Sequence, residues 1–230
     1  LKLKIEIPAN RCDLLSTELI ADALVRFENP ARALALRPKH ACAPRITLTV
    51  EAAAADVRPY CVAAAFRGVA FSPPALRSFI ELQDKLNFNI GRRRRLVAIG
   101  THDMDKLQTP LVYTALDRRD GFRFVPLAQT AEVNGEGMLE ALQDSYLKPY
   151  LDLIAQKPKF PVVLDGRARV CSVPPIVNAD FCKLTQETTS VFVEITGSDY
   201  YKMLTVLDVI SCFFVSLTGR ADVTEPVRVD

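Results

Sequence analysis

The sequence predicts an α+β fold with a mixed or antiparallel sheet flanked by helices. Three observations predict it. Stretches with the twofold alternation of strands and stretches with the helical repeat succeed one another without a strict strand–helix–strand rhythm. Several strands are separated only by short turns, which favours antiparallel neighbours. Hydrophobic residues make up 49% of the 230 residues, enough to fill the core of one large domain or two small ones.

Leu1, Leu3, Ile5 and Ile7 alternate with Lys2, Lys4 and Glu6, so a half-buried strand is expected first. Pro8 to Arg11 breaks it, and Asp13 is placed to cap a helix running to about Phe27. From Asn29 to Pro44 the chain is rich in Ala, Pro and Arg and reads as a loop, with His40 inside it. Arg45 to Val50 alternates as a strand. Val57 to Phe71 carries a longer apolar run entered through Arg58-Pro59, as a central strand would. Ser72-Pro73 starts a helix, whose face is Leu76, Phe79, Ile80, Leu86 and Ile90, with Gly91 at the C′ position. Leu96 to Ile99 is the next strand and delivers Thr101-His102-Asp103 into a turn. Val112 to Leu116 and Phe122 to Val125 read as paired strands around Arg118-Arg119-Asp120-Gly121. Short helices are expected over Gly137 to Gln143 and Tyr146 to Ala155. Val162 to Leu164 and Ala168 to Ser172 flank Asp165-Gly166, a hairpin signal. Val173 to Asn178, with its two prolines, reads as a rigid extended segment outside any ladder. Val191 to Thr196 is a strand, and Gly197-Ser198-Asp199 ends it and caps an apolar helix to about Leu217. That helix is apolar nearly all round and should be buried on more than one side. Gly219 ends it, and Val223 to Val229 forms a last strand.

Composition excludes several function classes. A net charge of +2 rules out a general polyanion binder, so any nucleic-acid contact must come from a local patch such as Arg92 to Arg95. The cysteines (12, 42, 61, 171, 182, 212) include no C-x-x-C pair, which argues against a zinc ribbon. Their scatter and the lack of a leader fit free thiols in a reducing cytosol. The chain opens inside an alternating stretch without Met, as expected of a domain excised from a longer polypeptide. The best membrane-span candidate, Met203 to Leu217, is too short and carries Asp208, so no membrane partner is expected. Phosphate-binding glycine loops, H-E-x-x-H and G-x-S-x-G are absent.

Three groups of residues carry possible chemistry. Gly91 to Asp105 holds four arginines and one of two histidines. The arginines read either as a solvated face or as a phosphate-contacting edge, and His102 either as a turn cap or as a rim residue that a ligand reaches. His102, Asp103 and Asp105 make only a weak metal set, and no metal site is assigned. Strand periodicity puts Phe192, Glu194 and Thr196 on one face and Val191, Val193 and Ile195 on the other. The second set is core. The first lines a pocket, or else Glu194 points to water. Ser172 beside Val173-Pro174-Pro175 forms a pocket wall or a rigid connector. Tyr200-Tyr201 lacks interleaved basic residues, so base stacking has no support from the sequence.

Six strings in order then resemble one family: Asn10 to Leu15, Arg58-Pro59-Tyr60, Glu81 to Leu86, Val97 to Asp103, Pro174 to Asn178 and Glu194 to Asp199. They look like the β subunit of phenylalanyl-tRNA synthetase, archaeal and eukaryotic cytosolic branch, over its B3/B4 domain. The match covers essentially all of residues 1–230. The resemblance implies a single editing domain that hydrolyses tyrosine misattached to the phenylalanine tRNA. It implies a cytoplasmic parent enzyme that joins phenylalanine to that tRNA with ATP and magnesium, as an α2β2 heterotetramer with its α subunit. No cofactor is expected in this segment. Glu194 takes the place of the acidic reader of the tyrosine hydroxyl, with Thr196 as helper. Ser172 and Val163 match pocket-lining positions, and Pro174, Pro175 and Asn178 a wall facing the amino acid or the terminal ribose of the tRNA 3′ end. His102 matches a histidine near the editing site of the bacterial branch and is expected to contact the ester or the terminal adenosine. Arg92, Arg93, Arg94 and Arg95 are the candidate tRNA contact. No dedicated nucleophile is implied, only a positioned water. The alternative within the same family is a tRNA-docking module without editing. Ala179 and Cys182 depart from the family pattern.

Overall fold

The computed structural model describes residues 3–31 and 43–230. Most of the expected 29–44 loop, with His40, lies outside them. Among the described residues the structure is α+β: one mixed, nine-stranded sheet flanked by helices. The strands are β1 Ile46–Val50, β2 Tyr60–Arg67, β3 Val97–Asp103, β4 Leu111–Asp117, β5 Lys159–Leu164, β6 Val170–Val173, β7 Val177–Asn178, β8 Ser190–Gly197 and β9 Thr224–Val229. Their order across the sheet is β3-β8-β2-β9-β1-β4-β5-β6-β7. The β1–β4 and β1–β9 pairs are parallel and the remaining pairs are antiparallel.

Helices α1 Thr17–Glu28, α2 Pro73–Phe88 and α5 Tyr200–Thr218 lie on one face of the β3-β8-β2 sheet. Val62, Ala64, Phe66, Val191, Val193 and Ile195 meet Phe79, Leu82, Met203, Ile210, Phe213 and Phe214 there. Alternate residues of the same strands, Cys61, Ala63, Ala65 and Phe192, turn to a second core shared with β4, β5, β6 and the short helices α3 Gly135–Ala141 and α4 Lys148–Leu151. Both faces of β8 are therefore buried. Each long helix starts on a side-chain cap, Ser16 on Leu19 N, Ser72 on Ala75 N and Asp199 on Lys202 N. Gly219 ends α5 with φ 66°, the left-handed cap that glycine adopts without a Cβ clash.

Several expectations are corrected. Leu3 to Ile7 form no strand; Leu3 is 81% exposed, because alternation without an apolar surface to meet stabilises nothing. The first helix is capped by Ser16, not Asp13, which instead pairs with Arg11. β3 runs through Thr101-His102-Asp103 rather than turning there, because β8 pairs with it as far as Asp103↔Val191. Phe122 to Val125 is not a ladder strand: β4 pairs with β5, and Phe124 makes only an isolated bridge to Val133. The helix expected over Tyr146 to Ala155 is the four-residue α4. The double-proline segment is a tight reversal. Pro174-Pro175 is cis, and Val177 and Asn178 pair back on Val173 and Ser172. Helix α5, at 19 residues, is longer than the expected span and long and apolar enough to cross a membrane. Its packing on α1, α2, β2, β8 and β9 accounts for that apolarity as core.

Candidate functional site

Glu194 lies mid-strand in β8, between Gly100 of β3 and Ala63 of β2. Both neighbours are small, so the face of the sheet is hollow at this point. The hollow is a pocket of about 280 Å³, floored by Glu194 and Gly100. Ile80, Gln83, Asp84 and Asn87 of α2 form one wall, and Ser172 with Pro174 to Asn178 the opposite one. Leu127, Tyr146, Leu147, Lys183 and Leu184 complete it. The wall of α2 is tied to the floor strand: Asn87 Oδ1 accepts from Ile99 N at 3.3 Å, and Thr101 Oγ1 bonds Gln83 Oε1 at 3.1 Å.

The Glu194 carboxylate is 1% exposed. Its Oε1 accepts from Ser172 Oγ at 2.6 Å, while Oε2 is buried with no hydrogen-bond partner among the described residues. A buried acceptor without a partner costs about 1–3 kcal/mol, so this oxygen is an energetic demand for a donor. Gly100 makes the arrangement sterically possible. A Cβ there would fall 2.0 Å from Glu194 Oε1 and 2.6 Å from Cδ.

His102 does not reach the pocket. It is wholly buried behind the carboxylate, with Nε2 3.6 Å from Glu194 Oε1, an electrostatic contact rather than a hydrogen bond, and Nδ1 3.2 Å from Cys182 Sγ. Burial alone would lower its pKa; the charge and hydrogen bond of Cys182, with Glu194 behind them, outweigh burial and push it up to about 9. Cys182 moves the other way, to about 5, pulled down by its bond with Cys171 against burial and helped by His102. Cys171 carries the opposite consequence, its thiol pushed up by Cys182 and by burial. The contact of His102 with an ester or terminal adenosine, expected from the sequence, is thus replaced by a place beneath the carboxylate. Nor do His102, Asp103 and Asp105 converge. Asp103 accepts from Thr188 Oγ1 and Asp105 N, and Asp105 from Thr189 Oγ1.

Thr196 is also covered. Arg58 donates from Nε to its hydroxyl at 2.9 Å and from Nη2 to its carbonyl at 2.7 Å. Val163 is fully buried opposite Ser172 and does not line the pocket. Asn178 does, with Nδ2 donating to Thr101 O at 3.1 Å.

The four arginines have different fates. Arg92, Arg93 and Arg94 are left-handed, with φ of 50°, 55° and 64°. Gly91, expected there, is not; its Cβ position is filled by Asn87 O and Val97 O at 2.6 and 2.7 Å. Left-handed L-residues cost roughly 1–2 kcal/mol each. The turn is held by backbone bonds from Arg92, Arg93 and Arg94 to Asn89 O, Phe88 O and Asn87 O. It swings Arg94 inward, where Nη1 donates to Pro175 O at 3.1 Å and Ile176 O at 2.7 Å, and the guanidinium lies 4.5 Å over Tyr150. Arg94 is therefore part of the pocket wall, not a solvated edge, whereas Arg92, Arg93 and Arg95 are exposed. Sequence reasoning missed Gly100 and the α2 wall, and gave Arg94 a tRNA contact rather than this place in the wall. A lone glycine inside a strand was a signal for Gly100; for the others there was none.

No protein-family model matches the chain. It is 43% identical over 229 residues to the phenylalanine–tRNA ligase β subunit of Schizosaccharomyces pombe, covering 99% of this chain and 38% of that protein. It is 42% identical to the cytoplasmic β subunit of Arabidopsis thaliana and 40% identical to the human one, over 98% and 92% of this chain. The crystal structure of an N-terminal fragment of the phenylalanyl-tRNA synthetase β subunit from Pyrococcus horikoshii superposes with a TM-score of 0.83 at 32% identity. The match covers 96% of this chain and 62% of that one. The chain thus spans well under half the length of the full β subunits it matches. On sequence and fold together, it belongs with the phenylalanine–tRNA ligase β subunits, as the counterpart of one segment of them.

Proposed function

We propose that this chain is the editing domain, of B3/B4 type, of a phenylalanine–tRNA ligase β subunit, and that it hydrolyses tyrosine misattached to the phenylalanine tRNA. The observation that carries the reading is Glu194 Oε2, a buried acceptor without a partner at the floor of a largely apolar pocket. A phenol hydroxyl entering the pocket supplies the donor; a phenyl ring does not. A synthetic site shaped for phenylalanine rejects an added hydroxyl by only ~10²-fold, whereas a site that demands the hydroxyl can reject its absence by ~10⁴–10⁵-fold. Ser172 holds the other carboxylate oxygen and so fixes which one faces the substrate.

The ester is already activated. Water oxygen bonds to the tyrosyl carbonyl carbon, the ester C–O bond breaks, and the water proton passes to the ribose oxygen. What the chain supplies is placement: Glu194 anchors the ring, and the cis-proline wall held by Arg94 faces it. Ligation of phenylalanine, with ATP and magnesium, belongs in this reading to the assembled cytoplasmic enzyme with its α subunit as an α2β2 heterotetramer. Among the described residues no group of three or more His, Cys, Asp or Glu side chains is placed to hold a metal ion.

The test is calorimetry of tyrosine and phenylalanine on the wild type and on Glu194→Gln. A neutral amide in place of the carboxylate forfeits the charge-assisted share of the bond, about 1.5 kcal/mol, so tyrosine should weaken roughly tenfold with phenylalanine little changed. In the assembled enzyme, Glu194→Ala should accumulate tyrosyl-tRNA while still charging phenylalanine. Unaltered clearance of the mischarged tRNA would overturn the assignment. If tyrosine does not bind the wild type at all, the docking-module alternative replaces it.

A further inference from the structure

Two carboxylates line the main pocket, Glu194 at the floor and Asp84 on the α2 wall. Asp84 shares one helical face with Ile80, Gln83 and Asn87, spaced i, i+3, i+4 and i+7 from Ile80, and all four line the pocket. This face is fixed to the floor. Asn87 accepts from Ile99 N and Gln83 bonds Thr101 Oγ1, on either side of Gly100, which is the register partner of Glu194. The two carboxylates therefore belong to one braced hollow. Glu194 is buried at its bottom, whereas Asp84 is exposed and so stands at its mouth.

The cations around the mouth are engaged elsewhere. Lys85 reaches Glu81 and Leu15 O, and Lys183 lies 2.9 Å from Asp180. Arg94 donates to Pro175 O and Ile176 O, and feels the charge of Asp84 only through space. Among the described residues no ion pair is made to Asp84. The pocket thus presents an acceptor without a donor at its floor, Glu194 Oε2, and an unpaired negative charge at its mouth. Tyrosine esterified to RNA carries the matching groups at its two ends. The phenol O–H is one donor and the α-ammonium the other, and the ester removes the carboxylate that would cancel the ammonium charge. With the ring down on Glu194, the ammonium is left toward the mouth, where a carboxylate is its natural partner.

We propose that Asp84 holds the α-ammonium of the aminoacyl group, so that the pocket reads both ends of tyrosine. The inference rests on the editing reading of the pocket and adds a second binding residue to it. Two anchors, one at each end, leave the ester carbon little freedom relative to the cis-proline wall, which is the placement the hydrolysis needs.

The experiment is calorimetry of the 230-residue chain with three amides, which like the ester carry no carboxylate. They are tyrosinamide, 3-(4-hydroxyphenyl)propanamide, which lacks the amine, and phenylalaninamide, which lacks the hydroxyl. At about pH 6.5 an α-amino group of pKa about 8 is protonated. Tyrosinamide should bind about fivefold more tightly than the amine-free amide, the upper range for an ion pair open to solvent, and the gap should narrow at high salt. In Asp84→Asn the gap should close while the amine-free amide binds as it does to the wild type, which also reports that the variant is folded. Glu194→Gln should weaken both hydroxyl-bearing amides alike and leave the gap in place. Equal affinities of those two amides for the wild type, or a gap that survives Asp84→Asn, would overturn the proposal. A preference over phenylalaninamide without the amine gap overturns this inference and leaves the Glu194 reading standing. An amine gap without that preference does the reverse, and binding of none of the three overturns both.

Discussion

Gly100→Ala tests the site without touching its chemistry. Gly100 is not left-handed, so alanine can adopt its backbone, and in a strand the change would by itself gain roughly 0.5–1 kcal/mol. The structure reverses that sign. The new Cβ lies 2.0 Å from Glu194 Oε1, so the carboxylate must move by more than 1 Å to regain an ordinary contact of about 3.3 Å. That movement breaks the 2.6 Å bond from Ser172 Oγ, worth about 1.5–3 kcal/mol as a bond to a charged group, and forces an off-rotamer side chain at about 0.5–1.5 kcal/mol. The net cost is about 1–4 kcal/mol, and a 230-residue chain should lose roughly 2–4 °C of Tm for each kcal/mol. Tyrosine affinity should fall as well. The decisive measurement is the double-mutant cycle with Glu194→Ala, followed by thermal unfolding. In that background the clash is gone, and Gly100→Ala should be neutral or stabilising. Equal costs in both backgrounds would refute the claim that Gly100 exists to seat the carboxylate.

Three further outcomes are expected. Arg94→Ala, which removes the bonds to Pro175 O and Ile176 O and the contact with Tyr150, should cost about 2–4 kcal/mol in urea unfolding and loosen tyrosine binding. Arg92→Gly, at a left-handed position whose side chain is exposed, should instead stabilise by about 1 kcal/mol in the same assay. His102 should titrate near pH 9 by NMR rather than near 6.5, and fall below its wild-type value in Cys182→Ser. Its contribution to stability is complete below pH 6.5 and is lost as pH rises through about 9, whereas that of Cys182 is complete above pH 9 and is lost as pH falls through about 5.

What the sequence disclosed, and what it hid, divides by range. Helix caps and strand periodicity are local, so α2, α5 and β8 could be read directly, down to Asp199 and Gly219 as the ends of α5. The two faces of β8 could be separated by alternation, but not the fact that both are buried, which depends on β2 and β3 alongside. The partner of β4 was misread because a near turn at 118–121 competed with the distant β5, and only packing decides between them. Arg94 was illegible because a left-handed run of arginines has no sequence signature; it is imposed by bonds to Asn87, Phe88 and Asn89 and by the wall it grips. Thr196 was expected free as a pocket helper, whereas Arg58, 138 positions away in the chain, occupies it.

The place of β9 bears on how the two halves of the site are held together. It is the last strand in the chain, yet it lies between β2 and β1, joining β3-β8-β2 on one side to β1-β4-β5-β6-β7 on the other. Glu194 comes from the first group and Ser172 from the second. Without residues 224–229 paired, each group has an open edge and the seam between them is unclosed. The pocket therefore depends on a strand that contributes none of its lining, and loss of β9 pairing would leave both halves of the site without the strand that joins them.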